Sequence, residues 1–377
     1  MTVASIAQPQ GKTQQQAGLP SQRARRPGLL RRWAAPLVDP AVFDFWAGKI
    51  NRSWTWERAL GRVVERTVAA EGAVTLVLQP NRHWQGFAPG QHLNIGVEIN
   101  GRRVTRSYSL CDVPRADGRI AITIKQVDGG VVSTQLCQHT RVGDLLDLGP
   151  AYGSMLLPTT LPGALALLAA GSGITPLMSL TRALAAQGMP VPVTLIYWVR
   201  TAAQACFVPE LQALAERFAN FKFQLIATQE GGERINSVSL SQALGQPLAQ
   251  TQALACGPGG FVASARELLG AQVQSFQAEA FSPAVPLNVD SKHIVKVSLR
   301  RSGRTLEIGS GEAILPALEA QGLRPTSGCR MGICHSCVCT MHEGLAEDLN
   351  TGERSSEPNT ALRICVSRAC TDISLDL

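Results

Sequence analysis

No acidic residue precedes Asp39, so Lys12, Arg23, Arg25, Arg26, Arg31 and Arg32 supply six positive charges against a formal net charge of +7 for the whole chain. The remainder is nearly neutral and has no basic stretch interleaved with aromatics, which excludes a nucleic-acid partner of the usual kind. Long apolar runs are also missing. The most apolar run, ALALLAA at 164–170, is closed by Gly171 and Gly173, far short of the roughly 20 residues a spanning helix needs. No segment is therefore expected to cross a membrane. The arginines of RARRPGLLRR lead into no apolar signal core, which disfavours an export signal, while an Arg-rich, acid-free leader leaves an organelle transit peptide as a minor alternative. With no secretory signal, the ten cysteines point to a reducing, cytoplasmic setting in which thiols bind metal or act in catalysis, and no structural disulfide is expected.

A chain of 377 residues accommodates three domains of ordinary size. Residues 1–28, rich in Gln, Ser, Gly, Pro and Arg, read as a disordered basic leader. Residues 29–58 hold Trp33, Trp46, Trp54 and Trp56 together with Phe43 and Phe45, and form an amphipathic aromatic extension. Such an extension is either a helix packed on the protein's own barrel or a surface for a membrane or partner. From 59 to 158, short β-branched runs alternate with turn signals, as a small antiparallel barrel requires. Between 159 and 281 the pattern becomes apolar strand, glycine turn and helix, the mark of a parallel α/β sheet. A linker spans 282–291, and HIVKVSLRRSGRTLEI opens a third unit, 292–377, as a hairpin.

That third unit carries the most specific signal. Cys329, Cys334 and Cys337 stand as C-x4-C-x2-C, and Cys365 lies 28 positions beyond Cys337. This is the ligand spacing of a plant-type [2Fe-2S] cluster, whereas zinc loops usually repeat C-x2-C. Ser327, Gly328 and Gly332 are small enough for backbone amides to reach the cluster sulfurs. Cys339 and Cys370 are left over and read as buried thiols. The segment resembles the ferredoxin domain, which implies an α+β, ferredoxin-like β-grasp fold and a low-potential, one-electron carrier.

A cluster accepts single electrons while a nicotinamide yields a hydride, so a flavin is needed between them. RSYSL at 106–110 resembles the R-x-Y-S motif of the ferredoxin-NADP reductase superfamily. The resemblance implies that Arg106 holds a flavin phosphate, Tyr108 packs on the ring and Ser109 bonds it near the reactive nitrogen. GGVVST at 129–134 matches the family's G-x-x-S turn through Gly130, Val132 and Ser133, which would cradle the pyrophosphate of FAD. FMN remains the alternative.

AAGSGITPLMSL resembles the superfamily's G-x-G-x-x-P nicotinamide motif. By that resemblance Gly171 and Gly173 make the tight turn, Thr175 donates to the pyrophosphate and Pro176 starts the helix. ACGPGGF matches C-G-P, placing Cys256, Gly257 and Pro258 beside the nicotinamide, with Cys256 orienting rather than attacking. Glu279 and Phe281 match an E-x-F near the flavin. An acid after the second strand would take the ribose hydroxyls of NADH, and an arginine the 2'-phosphate of NADPH. Here VTLIYWV runs into Arg200 with no acid before Glu210, and Arg234 follows in a later turn, so NADPH is expected and NADH is the alternative.

The whole therefore resembles an NAD(P)H-dependent iron-sulfur flavoprotein reductase, with Tyr108, Ser109 and Cys256 at the reacting atoms. Its basic aromatic extension is most similar to that of electron-transfer partners of membrane acyl-CoA or fatty-acid desaturases. This implies a di-iron desaturase as acceptor and peripheral contact with the inner face of the membrane. A soluble oxygenase, such as a Rieske-type demethylase or a ring or phenylacetyl-CoA hydroxylase, is the rival acceptor. A redox sensor is a rival of another class. Glu343, Glu347, Asp348, Glu353 and Glu357 form either a docking surface for a basic partner or a solvated face.

Overall fold

The computed structural model describes residues 40–50, 53–245, 248–281 and 293–377. The leader expected at 1–28 and the linker expected at 282–291 lie outside the described residues. Of the aromatic extension, helix α1 (Pro40–Ile50) is described. Asp44 Oδ1 accepts the Trp56 amide at 2.5 Å and Phe43 meets the Trp56 ring edge-on at 5.1 Å, so part of the helix packs on the chain that enters the barrel. Val42, Trp46, Ile50 and Trp54 are exposed.

The first sheet comprises β1 (Leu60–Ala70), β2 (Ala73–Pro80), β3 (His92–Ile99), β4 (Arg102–Ser109), β5 (Ile120–Lys125) and β6 (Leu145–Tyr152). All its pairings are antiparallel, in the order β4-β3-β6-β1-β2-β5, and a bridge from Leu110 to Ile122 joins the two ends into a barrel. Alternation directs Val63, Leu76, Leu78, Leu93, Ile95 and Ile122 inward, and closure leaves few strand edges exposed. A single helical turn, α2 (Val131–Thr134), widens into a π turn at Gln135–His139.

The second sheet is parallel, ordered β11-β10-β7-β8-β9. Its strands are β7 (Ala164–Ala170), β8 (Val193–Val199), β9 (Phe221–Ala227), β10 (Thr251–Gly257) and β11 (Ser275–Ala280). Helices α3 (Ile174–Ala186), α4 (Val208–Arg217), α5 (Ser237–Leu244) and α6 (Gly259–Leu269) cover it. Coverage of both faces explains why β7 and β8 read as unbroken apolar runs. Leu165 and Leu167 enter one core, and Ala166 and Leu168 enter the other. The order places β7 between β8 and β10, and the crevice beyond the carboxyl ends of β7 and β10 is where sheets of this kind bind ligands.

The third unit is a mixed sheet ordered β13-β12-β19-β14-β17, with a small sheet β16-β15-β18 beside it. These are β12 (Ile294–Leu299), β13 (Arg304–Gly309), β14 (Val338–Glu343), β15 (Ala346–Asp348), β16 (Arg354–Ser355), β17 (Thr360–Arg363), β18 (Ser367–Ala369) and β19 (Ile373–Leu375). Helix α7 (Ile314–Ala320) buries Ile314, Leu315 and Leu318 against the sheet. The architecture is the expected antiparallel barrel, parallel α/β sheet and α+β cluster domain.

Candidate active site

Strand β4 carries the first constellation. Pairing with β3 sets Ile95 opposite Arg106, Leu93 opposite Tyr108 and His92 opposite Ser109. Tyr108 packs against the barrel core, and burial pushes its phenol up, so it stays neutral. Burial and then the guanidinium of Arg330, in the cysteine loop, hold Arg106 below its ordinary value. Arg330 is itself paired with Glu319, at 2.6 and 2.7 Å, so Arg106 is the cation on β4 suited to an anionic group. In the following turn Gly130 caps α2, Val132 is buried and the Ser133 hydroxyl donates to the Gly130 carbonyl at 3.0 Å.

The second constellation sits where β7 and β10 end. Gly173 keeps an ordinary helical φ, and what it supplies is space: a Cβ there would lie 1.9 Å from the Cys256 carbonyl oxygen. Gly171 differs, having a φ of +55° and open surroundings. Thr175 is buried and its hydroxyl donates to Ser172's carbonyl at 2.9 Å, inside the turn. Pro176 lies in the first turn of α3, and Pro258 caps α6 just after Gly257. Cys256 is fully buried; burial and then Glu279 push its thiol well up, which suits an orienting group rather than a nucleophile. Glu279 is the β11 neighbour of Cys256, and Phe281 donates its amide to Gly257 at 2.9 Å.

The sequence reading missed His92. It is 1% exposed, its Nε2 lies 3.0 Å from the Glu279 carboxylate, and its ring stacks 6.1 Å from Tyr152 and meets Phe281 edge-on at 5.8 Å. The pair therefore bridges barrel and parallel sheet, beside Ser109 on one side and Cys256 on the other. Replacing His92 by Leu removes a ring packed against Tyr152 and Phe281 and the polar neighbour of a buried acid, and is expected to cost about 2 kcal/mol. Glu279→Gln, which keeps an amide opposite the ring, should cost less. Denaturant titration of both variants checks this, and an unchanged midpoint for His92→Leu contradicts it.

Arg200 is exposed at the end of β8, its carbonyl accepting the Gln229 amide at 2.8 Å. Arg234 is exposed farther along. The structure also brings in an acid that the sequence reading overlooked, because Glu230 arrives from the turn after the next strand. Both its carboxylate oxygens lie 3.2 Å from the Ala202 amide.

In the cysteine loop, the Cys329 amide donates to Cys334 Sγ at 3.1 Å, and the amides of Met331 and Cys334 donate to Cys329 Sγ, each at 3.3 Å. A Cβ at Gly328 would stand 2.8 Å from Cys334 Sγ. The thiol of Cys329 bonded to Cys334, and that of Cys365 bonded to Cys337, pull Cys334 and Cys337 below the usual thiol range. Four sulfurs in two adjacent pairs, with amides already aimed at them, fit a [2Fe-2S] cluster. Arg363 braces the loop, donating to the Gly332 carbonyl at 2.9 Å and to Asp348 at 2.7 Å.

One expectation changes here. Cys339 is buried, with its thiol pushed up to about 12 by burial, but Cys370 is half-exposed with its sulfur 4.0 Å from Glu347. Within the acidic run, Glu347 pairs with Arg354 and Arg368, and Asp348 with Arg363, so neither is a free docking charge.

Burial pushes the Tyr152 phenol up, its hydrogen bond to Ser107 works the other way, and Cys329 and Cys334 add to the rise. Tyr152, on β6, and Arg106, on β4, thus both feel charges of the cysteine loop.

Three family models match in order: an oxidoreductase FAD-binding domain at 62–156, an oxidoreductase NAD-binding domain at 167–267 and a 2Fe-2S iron-sulfur cluster binding domain at 297–370. An NADPH oxidoreductase of Mycobacterium tuberculosis H37Rv is 32% identical over 94% of each chain. The ferredoxin reductase component of a 3-ketosteroid-9-alpha-monooxygenase from M. tuberculosis CDC 1551 is 32% identical over 68% of this chain and 75% of its own. The solved phthalate dioxygenase reductase is 25% identical, with a TM-score of 0.60 over 84% of this chain and 97% of its own. The protein is thus an oxidoreductase carrying FAD, a nicotinamide nucleotide and a [2Fe-2S] cluster. It belongs to the ferredoxin-NADP reductase superfamily, in the branch like phthalate dioxygenase reductase.

Proposed function

We propose that this chain is the reductase component of an oxygenase system, taking electrons from NADPH and delivering them singly to an oxygen-activating partner. The observation that carries the reading is the arrangement around β4: its residue Ser109 faces His92 on β3, His92 meets Glu279 on β11, and Glu279 neighbours Cys256 at the end of β10. A flavin held by β4 would stand beside the nucleotide site, with the cluster domain as the next carrier in the chain. FAD, when bound, accepts a pair of electrons and releases them one at a time.

Residues 59–158 would hold FAD through Arg106, Tyr108, Ser109, Gly130, Val132 and Ser133. Residues 159–281 would hold the nucleotide through Gly171, Gly173, Pro176, Arg200, Cys256, Gly257 and Pro258, with Glu279 and Phe281 closing the site. Residues 292–377 would hold the cluster through Cys329, Cys334, Cys337 and Cys365. Arg200 supports NADPH. Arg200→Ala is expected to raise KM for NADPH about tenfold with little change for NADH, and equal effects on both would remove Arg200 from the 2'-phosphate site.

The reductase names of the relatives support a soluble oxygenase as acceptor. A membrane desaturase is the second reading, favoured by the exposed Val42, Trp46, Ile50 and Trp54. Cross-linking during turnover in the protein's own cells tests both. Attachment of a Rieske or other soluble oxygenase supports the first, and a His-rich integral membrane protein supports the second. Failure of NADPH to drive rapid reduction of any added one-electron acceptor would favour a redox sensor and overturn both.

A further inference from the structure

Helix α3 begins at the nicotinamide turn, and one turn farther along it grips the barrel. Ser179, fully buried, accepts the Gly90 amide at 3.2 Å and donates to the Asp112 carbonyl at 2.6 Å. Three residues on, Arg182 donates to the Cys111 carbonyl at 2.6 Å. Its other nitrogens are held by Glu210 at 2.8 and 2.6 Å, and its guanidinium lies 5.4 Å from the Phe207 ring centroid. Positions three apart on a helix share a face, so both side chains reach the same barrel loop.

The grip is short at both ends. Ser179 lies five residues beyond the start of α3, about 7.5 Å along the helix. Gly90 stands two residues before His92, and Asp112 three residues after Ser109. The barrel and the parallel sheet also meet elsewhere, through Glu71 with Ala203 and Lys125 with Gln204. Loss of the α3 contacts would therefore change the register between the two units without separating them.

We propose that Ser179 and Arg182 are positioning residues that fix the nicotinamide turn at its working distance from the flavin strand. This rests on the assignment of 106–109 to flavin and 171–176 to the nucleotide. Reduction of the flavin by NADPH moves one hydrogen with two electrons from the nicotinamide C4 to the flavin ring, leaving NADP+; the two side chains take no part in those bonds. They set the separation, to which such transfers are steep: a misplacement of 1 Å costs about 100-fold.

The test uses the full-length protein with Ser179→Ala, and with Glu210→Gln, which loosens Arg182 from its more exposed side and spares the buried packing. Rapid-mixing reduction by NADPH at saturation is expected to slow at least about tenfold in Ser179→Ala, with an increased deuterium effect from 4-deuterated NADPH. Glu210→Gln should show a smaller loss in the same direction. Flavin content, reduction by dithionite and the Kd for NADP+ should hold. In flavin-free protein, hydrogen exchange at the Gly90 amide should speed up in Ser179→Ala while the cluster domain stays as protected as before. Unchanged reduction rates in both variants, or a raised Kd with an unchanged saturated rate, would overturn the proposal. Failure of NADPH to reduce the unmodified protein would instead overturn the assignment beneath it.

Discussion

Cys365→Ser is expected to abolish electron delivery while leaving the flavin reducible. Cys365 is the one proposed ligand outside the loop, 28 positions after Cys337, and it is buried between Ile364 and Val366 in the core of the third domain. Serine preserves the shape of the site and removes the soft thiolate that iron requires. Groups beyond the ligands themselves often change metal affinity 10- to 100-fold, so loss of a ligand should reduce cluster occupancy and cytochrome c reduction by on the order of 100-fold. NADPH-driven reduction of ferricyanide, which can draw on the flavin directly, should persist. Iron analysis and the visible spectrum read the cluster. Full occupancy in this variant, with loss only after Cys370→Ser, would reassign the fourth ligand.

Gly173→Ala is expected to disable the nicotinamide side to a similar degree. The new methyl would be 1.9 Å from the Cys256 oxygen and 2.7 Å from the Gly257 nitrogen. Both belong to a strand hydrogen-bonded on either side, with Cys256 paired to Ala169 and to Glu279, so they cannot move away. The turn must shift instead, and a shift near 1 Å slows flavin reduction by about 100-fold. Dithionite should still reduce flavin and cluster at the parental rate. Gly171→Ala is the informative comparison, since it meets a positive φ but open space and should cost about 1 kcal/mol of strain with a milder kinetic effect. Equal outcomes for the two would mean that backbone strain, not crowding against Cys256, makes this turn glycine-rich.

How legible the molecule was in its sequence follows from how local each feature is. The C-x4-C-x2-C loop is local, and so are the glycine turns and the strand patterns, and all of these are visible as spacing. His92 was not legible, because a histidine in an apolar strand acquires meaning only when Glu279 arrives from another sheet. Glu230 was overlooked for the same reason: it reaches Ala202 from a turn 28 positions away. Ser179 and Arg182 read as ordinary polar positions on a helix until folding sets them against Gly90, Cys111 and Asp112. Thr175 belongs to a clear motif, and its hydroxyl here bonds the carbonyl of Ser172 within the turn. Cys370 was read as buried on cysteine's general habit, and the edge of a three-residue strand leaves it half-exposed.

Rapid mixing of the complete protein with NADPH, followed at separate wavelengths for flavin and cluster, tests the central claim most directly. Flavin reduction is expected to precede cluster reduction, and a variant lacking the cluster to keep the first phase and lose the second. Cluster reduction that runs ahead of the flavin, or survives in flavin-free protein, would contradict it.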